Sequence, residues 1–586
     1  MKVRLLFFIL VFSPGLFAQS PSIDYTVVVR NPLSHFYAVE MQISGIRSTS
    51  VDVALPAWAP GVYAIRDFAG NVQQFEALSR QNQPLQVRQT DKQTWRITKT
   101  AAEDVRVRYR VFSSALNDEM ADITPAGVFM YVVGQTAAPV SVKYETDDNW
   151  KVFTGIEKRG DRYIAPDYHT LVASPVFWGE FKVVEIKDAP FSIRVVFSNR
   201  RIQVTELQID ADLTDIAKSA VAMFGSVPFK DYTFLVKVQP TPGSSSVGYL
   251  NSARIVVGEN DFVNEGTYNA FLSATTTAFI KAWYGRAARS ESMQPFDYSR
   301  ESYSRNLWFT EGAAAYSADM LLVRTGILTD ADYFQRVTAE VDALQRVPGR
   351  LVASLEDASW NVWLRGENSL NASVPYLLKG KIAGMLLDAE IRGRTAGAKT
   401  IDDVLRHLLT GATARRGGLP ESELEPAIQA ATGLNVADFF EKVIRGKSEL
   451  EYNHYLQPLG VTATSRKAPA TIQFGIEFER TDTNQVRIRR VIAGSPAENA
   501  KLDSGDVIVA MDDDRVTFDN LTGRIHSKPL GRPVNLTVMR GERLLNLTIT
   551  PGLTQTETWS VEESLQATPE QVRMRNAWLP QGRGGK

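Results

Sequence analysis

The residues that could carry out chemistry are few, and several reactive types are missing. The 586-residue chain has no cysteine, which excludes disulfides, thiolate metal ligands and cysteine nucleophiles. A catalytic zinc site usually takes three protein ligands, with histidine prominent among them, plus an open position. The chain has five histidines, none between residues 170 and 406, and we interpret each as an ordinary surface or core residue: His35, His169, His407, His454 and His526.

One helix has the right spacing for a metal site but the wrong side chains. In TTTAFIKAW, Thr275 to Trp283, apolar or small residues recur every three to four positions, which predicts an amphipathic helix. Thr277 and Lys281 are one turn apart and share a face, as the two histidines of an H-E-x-x-H zinc motif must. A second predicted helix, LWFTEGAAAYSADMLLVR, begins near the carboxylate Glu311.

Other chemistries find no support in the sequence. PGSSSVG, Pro242 to Gly248, misses the G-x-S-x-G spacing of a serine hydrolase and has no histidine base nearby, so we interpret it as a loop. Neither a phosphate-binding G-x-x-x-x-G-K nor a dinucleotide-binding G-x-G-x-x-G follows a strand. The paired acids Glu356 and Asp357 are interpreted as structural. A net charge of −1 argues against a nucleic-acid partner.

The spacing of apolar residues along the chain predicts the strands and helices that must position these residues. From Ile23 to about Val184, short β-branched runs alternate apolar and polar residues between turns, which predicts an antiparallel β-domain. Helical periods then dominate to about Gly446, with one clear strand, YTFLVKV. A short link near Arg466–Pro469 precedes a β-rich segment. The tail opens with Thr568, Pro569 and Gln571, which predicts a helix that begins with a capping box.

Several quoted segments resemble one enzyme family. ALPAWAPGVYAIRDFAG (54–70), QPFDYSRESYSRNLWFTEG (294–312), LLVRTGI and PGRLVASLEDASWNVW are similar to signatures of the glycyl-aminopeptidase family, metallopeptidase family sixty-one of the gluzincin group. The resemblance runs from about residue 22 to 555. It implies a multidomain α+β fold with an N-terminal antiparallel β-domain, a thermolysin-like α/β catalytic-type domain with a helical extension, and a C-terminal PDZ domain.

The resemblance also places the family's zinc site, and here the motif is degenerate. The first histidine falls on Thr277, the general-base glutamate on Ala278 and the second histidine on Lys281. The third ligand, the glutamate of W-x-x-E-G, falls on Glu311 and is present. A threonine hydroxyl is a poor ligand and a lysine ammonium has no lone pair. We therefore expect no metal, no cofactor and no catalytic residues.

The family's substrate-positioning segments are also largely lost. Its upstream G-G-L-E-H signature falls on Ser245, Ser246, Val247, Gly248 and Tyr249, and only the following Asn251 and Ser252 survive from that loop. One tyrosine of the family's S-Y-Y-x-K-G segment remains, as Tyr376.

The segment from about 471 to 551 resembles the PDZ domains of bacterial secreted proteases. FGIEF, VIAGSPAENAKLDSGDVIVAMD and RPVNLTVMRGERLLNLTI carry the likeness. The resemblance implies that Phe474, Gly475, Ile476 and Phe478 form a cradle for the C-terminal carboxylate of a peptide that adds as a strand. A docking module that never binds a free peptide remains the alternative.

The N-terminus has the pattern of a secretory signal. Lys2 and Arg4 precede an apolar run from Leu5, and Ala18 marks the expected cleavage site. We predict a cleaved signal peptide and a periplasmic or secreted protein, with an uncleaved signal anchor as the alternative. No later stretch reaches about 18 uninterrupted apolar residues, so we expect no transmembrane segment in the mature chain.

The predicted function is a catalytically inactive homologue of these metallopeptidases that binds peptides or proteins through its cleft and through the PDZ domain. The alternative is an active zinc metallo-aminopeptidase with ligands that the sequence does not identify. The predicted domains comprise a signal peptide (1–18), a β-domain (22–185), a degenerate thermolysin-like domain (190–330), a helical domain (331–450), a separately folding PDZ domain (468–553) and a polar tail (554–586).

The loss of the metal leads to one structural prediction. Without zinc, the Glu311 carboxylate would be an unpaired charge, which is costly in a buried site. We predict that Lys281 takes the place of the ion and pairs with Glu311 at roughly 2.7–3.2 Å, and that Thr277 adds a hydroxyl hydrogen bond. The alternative is that both charged side chains extend toward solvent.

Overall fold

The computed structural model describes residues 21–146, 149–241, 243–364, 366, 368–412, 418–467, 470–554 and 557–580. The predicted signal peptide therefore lies outside the described residues, as do the first two residues of the predicted PDZ segment and the last six of the tail. The chain divides into two compact units. The first comprises the residues up to 59 with 66–152 and 156–180, and the second comprises 60–65, 153–155 and the residues from 181 onward.

The first unit is built from strands whose alternate residues are buried. In β1, Tyr25 and Val27 are buried while their neighbours are half-buried, which is the period that the sequence predicts. A seven-stranded sheet has the order β12-β13-β10-β1-β2-β7-β4, and a four-stranded sheet has the order β5-β6-β3-β9. Pairing is largely antiparallel, but β1 and β10 run parallel. The elements between residues 22 and 179 are β1 (Ser22–Val29), β2 (Phe36–Ser44), β3 (Ser50–Ala54), β4 (Val72–Ser79), β5 (Gln86–Asp91), β6 (Thr94–Thr98), β7 (Val105–Phe112), β8 (Met120–Ile123), β9 (Tyr131–Val132), β10 (Val140–Thr146), β11 (Lys151–Thr154), β12 (Glu157–Arg159), β13 (Arg162–Ala165), α1 (Tyr168–Val172) and β14 (Val176–Gly179).

The second unit begins with a mixed sheet that carries the predicted metallopeptidase helix. The sheet has the order β15-β16-β17-β19-β18, so β18 is an edge strand. β17 contains the predicted strand YTFLVKV. The elements of this part are β15 (Lys182–Ile186), β16 (Ser192–Phe197), α2 (Glu206–Phe224), β17 (Asp231–Gln239), β18 (Ser245–Gly248), β19 (Ser252–Gly258), α3 (Glu265–Ala287), a π-helical segment (Trp308–Ala313) and α4 (Ala314–Arg324).

A set of helices extends this part of the unit. The longest of them, α8, begins directly after Pro375, because a proline has no N–H for the hydrogen bond that a helix interior needs. The helices are α5 (Asp330–Gln345), α6 (Leu355–Trp360), α7 (Ser369–Ala372), α8 (Tyr376–Arg394), α9 (Ile401–Ala412), α10 (Leu424–Thr432), α11 (Ala437–Phe439) and α12 (Tyr452–Leu456). In the described part of the chain, no helix is both long and apolar enough to cross a bilayer.

The PDZ region has its own core and a six-stranded sheet of order β22-β23-β24-β26-β27, with β25 paired to β24. The strands on either side of it pair with each other, β20 with β29 and β21 with β28. The elements are β20 (Val461–Lys467), β21 (Thr471–Gln473), β22 (Ile476–Arg480), β23 (Val486–Val491), α13 (Pro496–Asn499), β24 (Val507–Met511), β25 (Asp514–Arg515), α14 (Leu521–His526), β26 (Val534–Arg540), β27 (Arg543–Ile549), β28 (Gly552–Thr554), β29 (Glu557–Glu563) and α15 (Pro569–Trp578).

The segment after the PDZ region packs against the helices. The capping box predicted at Thr568 and Gln571 is confirmed at the start of α15. Trp578 and Leu579 are each 1% exposed, and the Trp578 indole N–H donates to the Tyr316 hydroxyl at 2.8 Å. The apolar end of α15 and strand β29 both pack against the helices, so the segment that the sequence predicts as a polar tail contributes buried side chains to their core.

Candidate functional site

Helix α3 presents residues 277 and 281 on its least buried face. The helix begins at the Asn264 cap, whose side chain accepts a hydrogen bond from the Thr267 N–H. Most of its other faces are buried in the core, whereas Thr277 and Lys281 are half-buried. The prediction that these two residues share one face of a helix is confirmed.

Glu311 lies in the π-helical segment that leads into α4. The segment approaches α8 closely, since a Cβ on Gly312 would lie 2.7 Å from the backbone of Gly380. Its start is held by the Ser359 hydroxyl, which accepts a hydrogen bond from the Trp308 N–H at 3.1 Å. Single π-helical turns within helices often occur at functional sites, and this one places the carboxylate toward α3.

Lys281 and Glu311 form the predicted ion pair. The Lys281 Nζ lies 2.6 Å from the Glu311 Oε2, and the two side chains are 18% and 14% exposed. The predicted contribution of Thr277 is wrong. Its hydroxyl donates to the Ser273 carbonyl, one turn back, at 2.8 Å. A threonine hydroxyl has a single proton, and this bond uses it, so none remains for the Glu311 carboxylate.

A tyrosine that the sequence did not single out completes the contacts of Glu311. The Tyr63 hydroxyl donates to the Glu311 Oε1 at 3.1 Å. Burial raises the pKa of Tyr63 well above its ordinary value, and the neighbouring Glu311 and Tyr376 raise it further. Tyr63 therefore stays protonated and acts as a donor. The two residues are 248 positions apart, so local spacing carries no signal for the contact.

Tyr376 is brought to the same site. It is half-buried at the start of α8 and packs with Tyr63 and Trp363 in a small apolar cluster. Of the predicted degenerate positions, the structure thus brings Lys281, Glu311 and Tyr376 together around Tyr63, while Thr277 is engaged by its own helix.

Ala278 lies beneath the edge strand β18. It is fully buried, and its carbonyl faces Gly248, where an added Cβ would lie 1.9 Å from the Ala278 oxygen. A larger side chain at position 248 would force the strand and the helix apart. Position 248, onto which the glutamate of the G-G-L-E-H signature falls by resemblance, is therefore restricted to glycine in this structure.

The residues at this site do not fit a catalytic zinc ion. Glu311 supplies one carboxylate, and both of its oxygens already contact Lys281 or Tyr63. A zinc ion there would lie against the ammonium of Lys281, which repels a cation and has no lone pair to donate. Within the described ranges, no group of three or more histidine, aspartate or glutamate side chains is arranged to hold a metal ion.

The predicted peptide cradle of the PDZ region lies at the start of the edge strand β22. Gly475 has a φ of 79°, and a Cβ there would lie 2.2 Å from the Ser495 Cβ, so only glycine fits. The Phe474 side chain is buried in the PDZ core, whereas those of Ile476 and Phe478 are half-buried. The Phe478 ring packs against Phe518, which precedes α14, with the ring centres 5.6 Å apart.

Three family models match the chain. Residues 24–180 match the peptidase M61 N-terminal domain, residues 270–383 match the M61 glycyl aminopeptidase, and residues 472–550 match a PDZ domain. No curated protein matches.

Among solved structures, an aminopeptidase N family protein from Idiomarina loihiensis is similar to this chain with a TM-score of 0.87 at 23% identity. The match covers 95% of this chain and 100% of that one, and it shows the same fold. A mutant M1 zinc metallopeptidase from Deinococcus radiodurans, bound to a Tyr-Ser-Ala substrate, matches with a TM-score of 0.47 at 11% identity, over 73% of this chain and 94% of that one. The family-model matches and the similarity to the Idiomarina loihiensis protein confirm the predicted fold class.

Proposed function

The chain belongs to the M61 glycyl aminopeptidase family and carries a PDZ domain, and we propose that it is a member without peptidase activity that serves as a peptide- or protein-binding scaffold. The observation that carries this proposal is the ion pair between Lys281 and Glu311. The one family ligand that the chain retains is engaged by a cation from the helix that would supply the other two.

The missing general base supports the same proposal. Proton transfer by a positioned base contributes about 10²–10⁴-fold to a typical rate. The family position for that base is Ala278, which is fully buried and has no side-chain oxygen. The Tyr63 hydroxyl contacts Glu311, and its raised pKa keeps it protonated, so it has no form that could accept a proton near neutral pH.

The test is a measurement of metal content together with hydrolysis. The purified protein is dialysed first against a buffer that contains zinc and then against the same buffer without it. We expect it to hold well under one zinc ion per chain and not to hydrolyse aminoacyl amides. A variant with Thr277→His and Lys281→His is the matched positive control for the zinc measurement, because Glu311 already points toward this face. One zinc per wild-type chain with chelator-sensitive hydrolysis would refute the proposal.

The PDZ region supports the binding role. Its β22 edge is available for strand addition, and Gly475 gives the preceding loop the backbone conformation that a carboxylate cradle uses. We expect peptides with a free C-terminal carboxylate to bind more tightly than the same peptides as amides. Fluorescence polarisation with a labelled peptide library measures this, and equal affinity for acids and amides would point to a docking module instead.

The site of action is proposed from the N-terminus. The positive residues Lys2 and Arg4, the apolar run and Ala18 support export, and the absence of cysteine is compatible with an envelope protein. Fractionation of cells that express the full chain, followed by N-terminal sequencing, should place a protein starting at Gln19 in the periplasm or medium. A full-length cytoplasmic product would contradict this proposal.

A further inference from the structure

A cavity lies between α2, the start of α3 and the segment that joins α4 to α5. Its volume is about 1370 Å³. Sites for small molecules usually have volumes of about 300–1,000 Å³. None of its lining residues belongs to the site around Lys281 and Glu311. A cavity of this size suits a segment of polypeptide better than a single small ligand.

One polar face of α2 forms a wall of this cavity. Gln208, Asp212, Asp215 and Ser219 line it, and their spacing of three to four positions places them on one side of the helix. The opposite side of α2 is buried in the core. From Gln208 to Ser219 this wall is about 16 Å long at 1.5 Å per residue. About five residues of extended chain have the same length.

The cavity also has an apolar lining that is already fixed in place. The Phe262 ring packs against Phe197 and Phe271, with ring centres 5.6 Å and 5.0 Å away. Beside it, Val263 is 78% exposed. The larger apolar side chains of the lining are those of Phe262, Val263, Tyr268, Leu272, Ile327 and Leu328. An apolar side chain of a ligand can therefore be buried here without rearrangement of the wall.

The charge of the lining is negative. It comprises one guanidinium, that of Arg324, and four carboxylates, those of Asp212, Asp215, Glu265 and Asp330. The Arg324 Nη1 lies 2.8 Å from the Asp402 Oδ2, so a carboxylate outside the lining already neutralises this cation. Partial burial raises the pKa of Asp330, and Glu563 raises it further against an opposite effect of Arg575. We refer to the cavity as the acidic groove.

Neither an anion nor a metal ion fits the acidic groove. Helices α3 and α5 begin there, and a helix N-terminus can bind an anion. However, the Asn264 and Thr329 side chains already accept hydrogen bonds from first-turn N–H groups, and Glu265 and Asp330 occupy these first turns. Among the residues whose positions are described, no three acidic or histidine side chains are grouped to hold a metal ion. The negative charge is instead spread along the groove.

We infer that the acidic groove docks a basic segment of a partner protein, in which lysine or arginine residues alternate with apolar ones. Spaced carboxylates match spaced cations, and the apolar wall at Phe262 and Val263 receives the side chains between them. The inference goes beyond the proposed function and does not depend on the loss of metal, because the groove shares no lining residue with the Lys281 site or with the PDZ region.

The experiment uses the full chain and isothermal titration calorimetry. The basic probe is acetyl-Gly-Lys-Leu-Lys-Leu-Lys-Gly-amide, whose amide end keeps it from the carboxylate cradle proposed for the PDZ region. An acidic probe has glutamate in place of lysine, and a third probe has serine in place of leucine. Each exposed ion pair changes affinity by about 1.4-fold to fivefold. We therefore expect the basic probe to bind at least about tenfold more tightly than the acidic one, and more tightly than the serine probe.

A pair of charge-removing substitutions tests the groove itself. Asp215→Asn with Glu265→Gln removes two exposed carboxylates of the lining and should weaken binding of the basic probe about fivefold to tenfold. Asp482→Asn with Glu542→Gln is the matched control, because it changes the net charge equally at exposed positions of the PDZ region. This control should change the affinity by less than about twofold. Thermal unfolding checks that each variant is folded.

The absence of cysteine allows the binding position to be identified. Gln208→Cys introduces a single thiol into the lining, and a maleimide dye that responds to its surroundings can be attached to it. We expect the basic probe, but not the acidic probe, to change the emission of this dye. The same dye attached through Asp482→Cys should not respond.

Four results would overturn the inference. They are no measurable binding of the basic probe at low salt, equal binding of the basic and acidic probes, equal weakening by the control pair, and no response of the dye at position 208. Spermidine is titrated as a small polycation without an apolar side chain. If it binds as tightly as the basic probe, the groove takes a polyamine, and the docking of a protein segment is refuted.

Discussion

Replacement of Lys281 by methionine tests whether the ion pair stabilises the fold in place of the metal. Methionine keeps most of the volume but leaves Glu311 with Tyr63 as its remaining side-chain donor. Breaking a fully buried pair costs about 3–5 kcal/mol, whereas an exposed pair contributes about 0–1 kcal/mol. With side chains 18% and 14% exposed, this pair lies nearer the buried limit. We expect Lys281→Met to lower the free energy of unfolding by about 2–4 kcal/mol.

The double variant isolates the interaction. If the cost of Lys281→Met comes from an unpaired carboxylate, then Lys281→Met with Glu311→Gln should recover at least half of it. Urea denaturation followed by tryptophan fluorescence measures all four species, and the lysine-conserving Thr277→Ser is a matched control on the same face of α3. The reasoning fails if Lys281→Met changes stability by less than about 0.5 kcal/mol, or if the double variant is as unstable as the sum of the two single changes.

Three further predictions concern other parts of the chain. Burial lowers the pKa of Lys379 to about 8, so between pH 8 and 10.5 the unfolded chain holds a proton that the folded chain has released, and the contribution of Lys379 to the free energy of unfolding should rise by about 3 kcal/mol over this window. Lys379→Met should therefore be more stable than the wild type at pH 7, and urea melts of both proteins at pH 7 and 10 should show this advantage shrink at the higher pH. Gly475→Ala places a Cβ 2.2 Å from the Ser495 Cβ and should abolish peptide binding by the PDZ region. Gly541→Ala is the control, because Gly541 has a similar positive φ and open space around it, and this change should only lower stability. Equal loss of peptide binding in both variants would contradict the steric argument. Trp578→Ala should lower the free energy of unfolding by about 3–5 kcal/mol, because the side chain is 1% exposed, and an unchanged thermal midpoint would show that α15 does not stabilise the helices.

The sequence determined the local structure around the site. A hydropathy period of three to four residues placed Thr277 and Lys281 on one face of α3, and a single retained carboxylate, Glu311, required a partner in the absence of the ion. The capping box at Thr568 could also be predicted from the sequence, because its two hydrogen bonds join residues that are three positions apart. Patterns of this kind are visible because the interacting groups are near one another along the chain.

Contacts between distant segments were decided by the tertiary structure alone. Tyr63 reaches Glu311 across 248 positions, and the burial of Trp578 against Tyr316 spans 262. The sequence also left open which acceptor the Thr277 hydroxyl uses, and in the structure it donates to the Ser273 carbonyl of its own helix. The sequence therefore determined which charge needed a partner. The packing of segments far apart in the chain determined which other groups surround it, because side-chain spacing along a helix carries no information on which segment lies opposite.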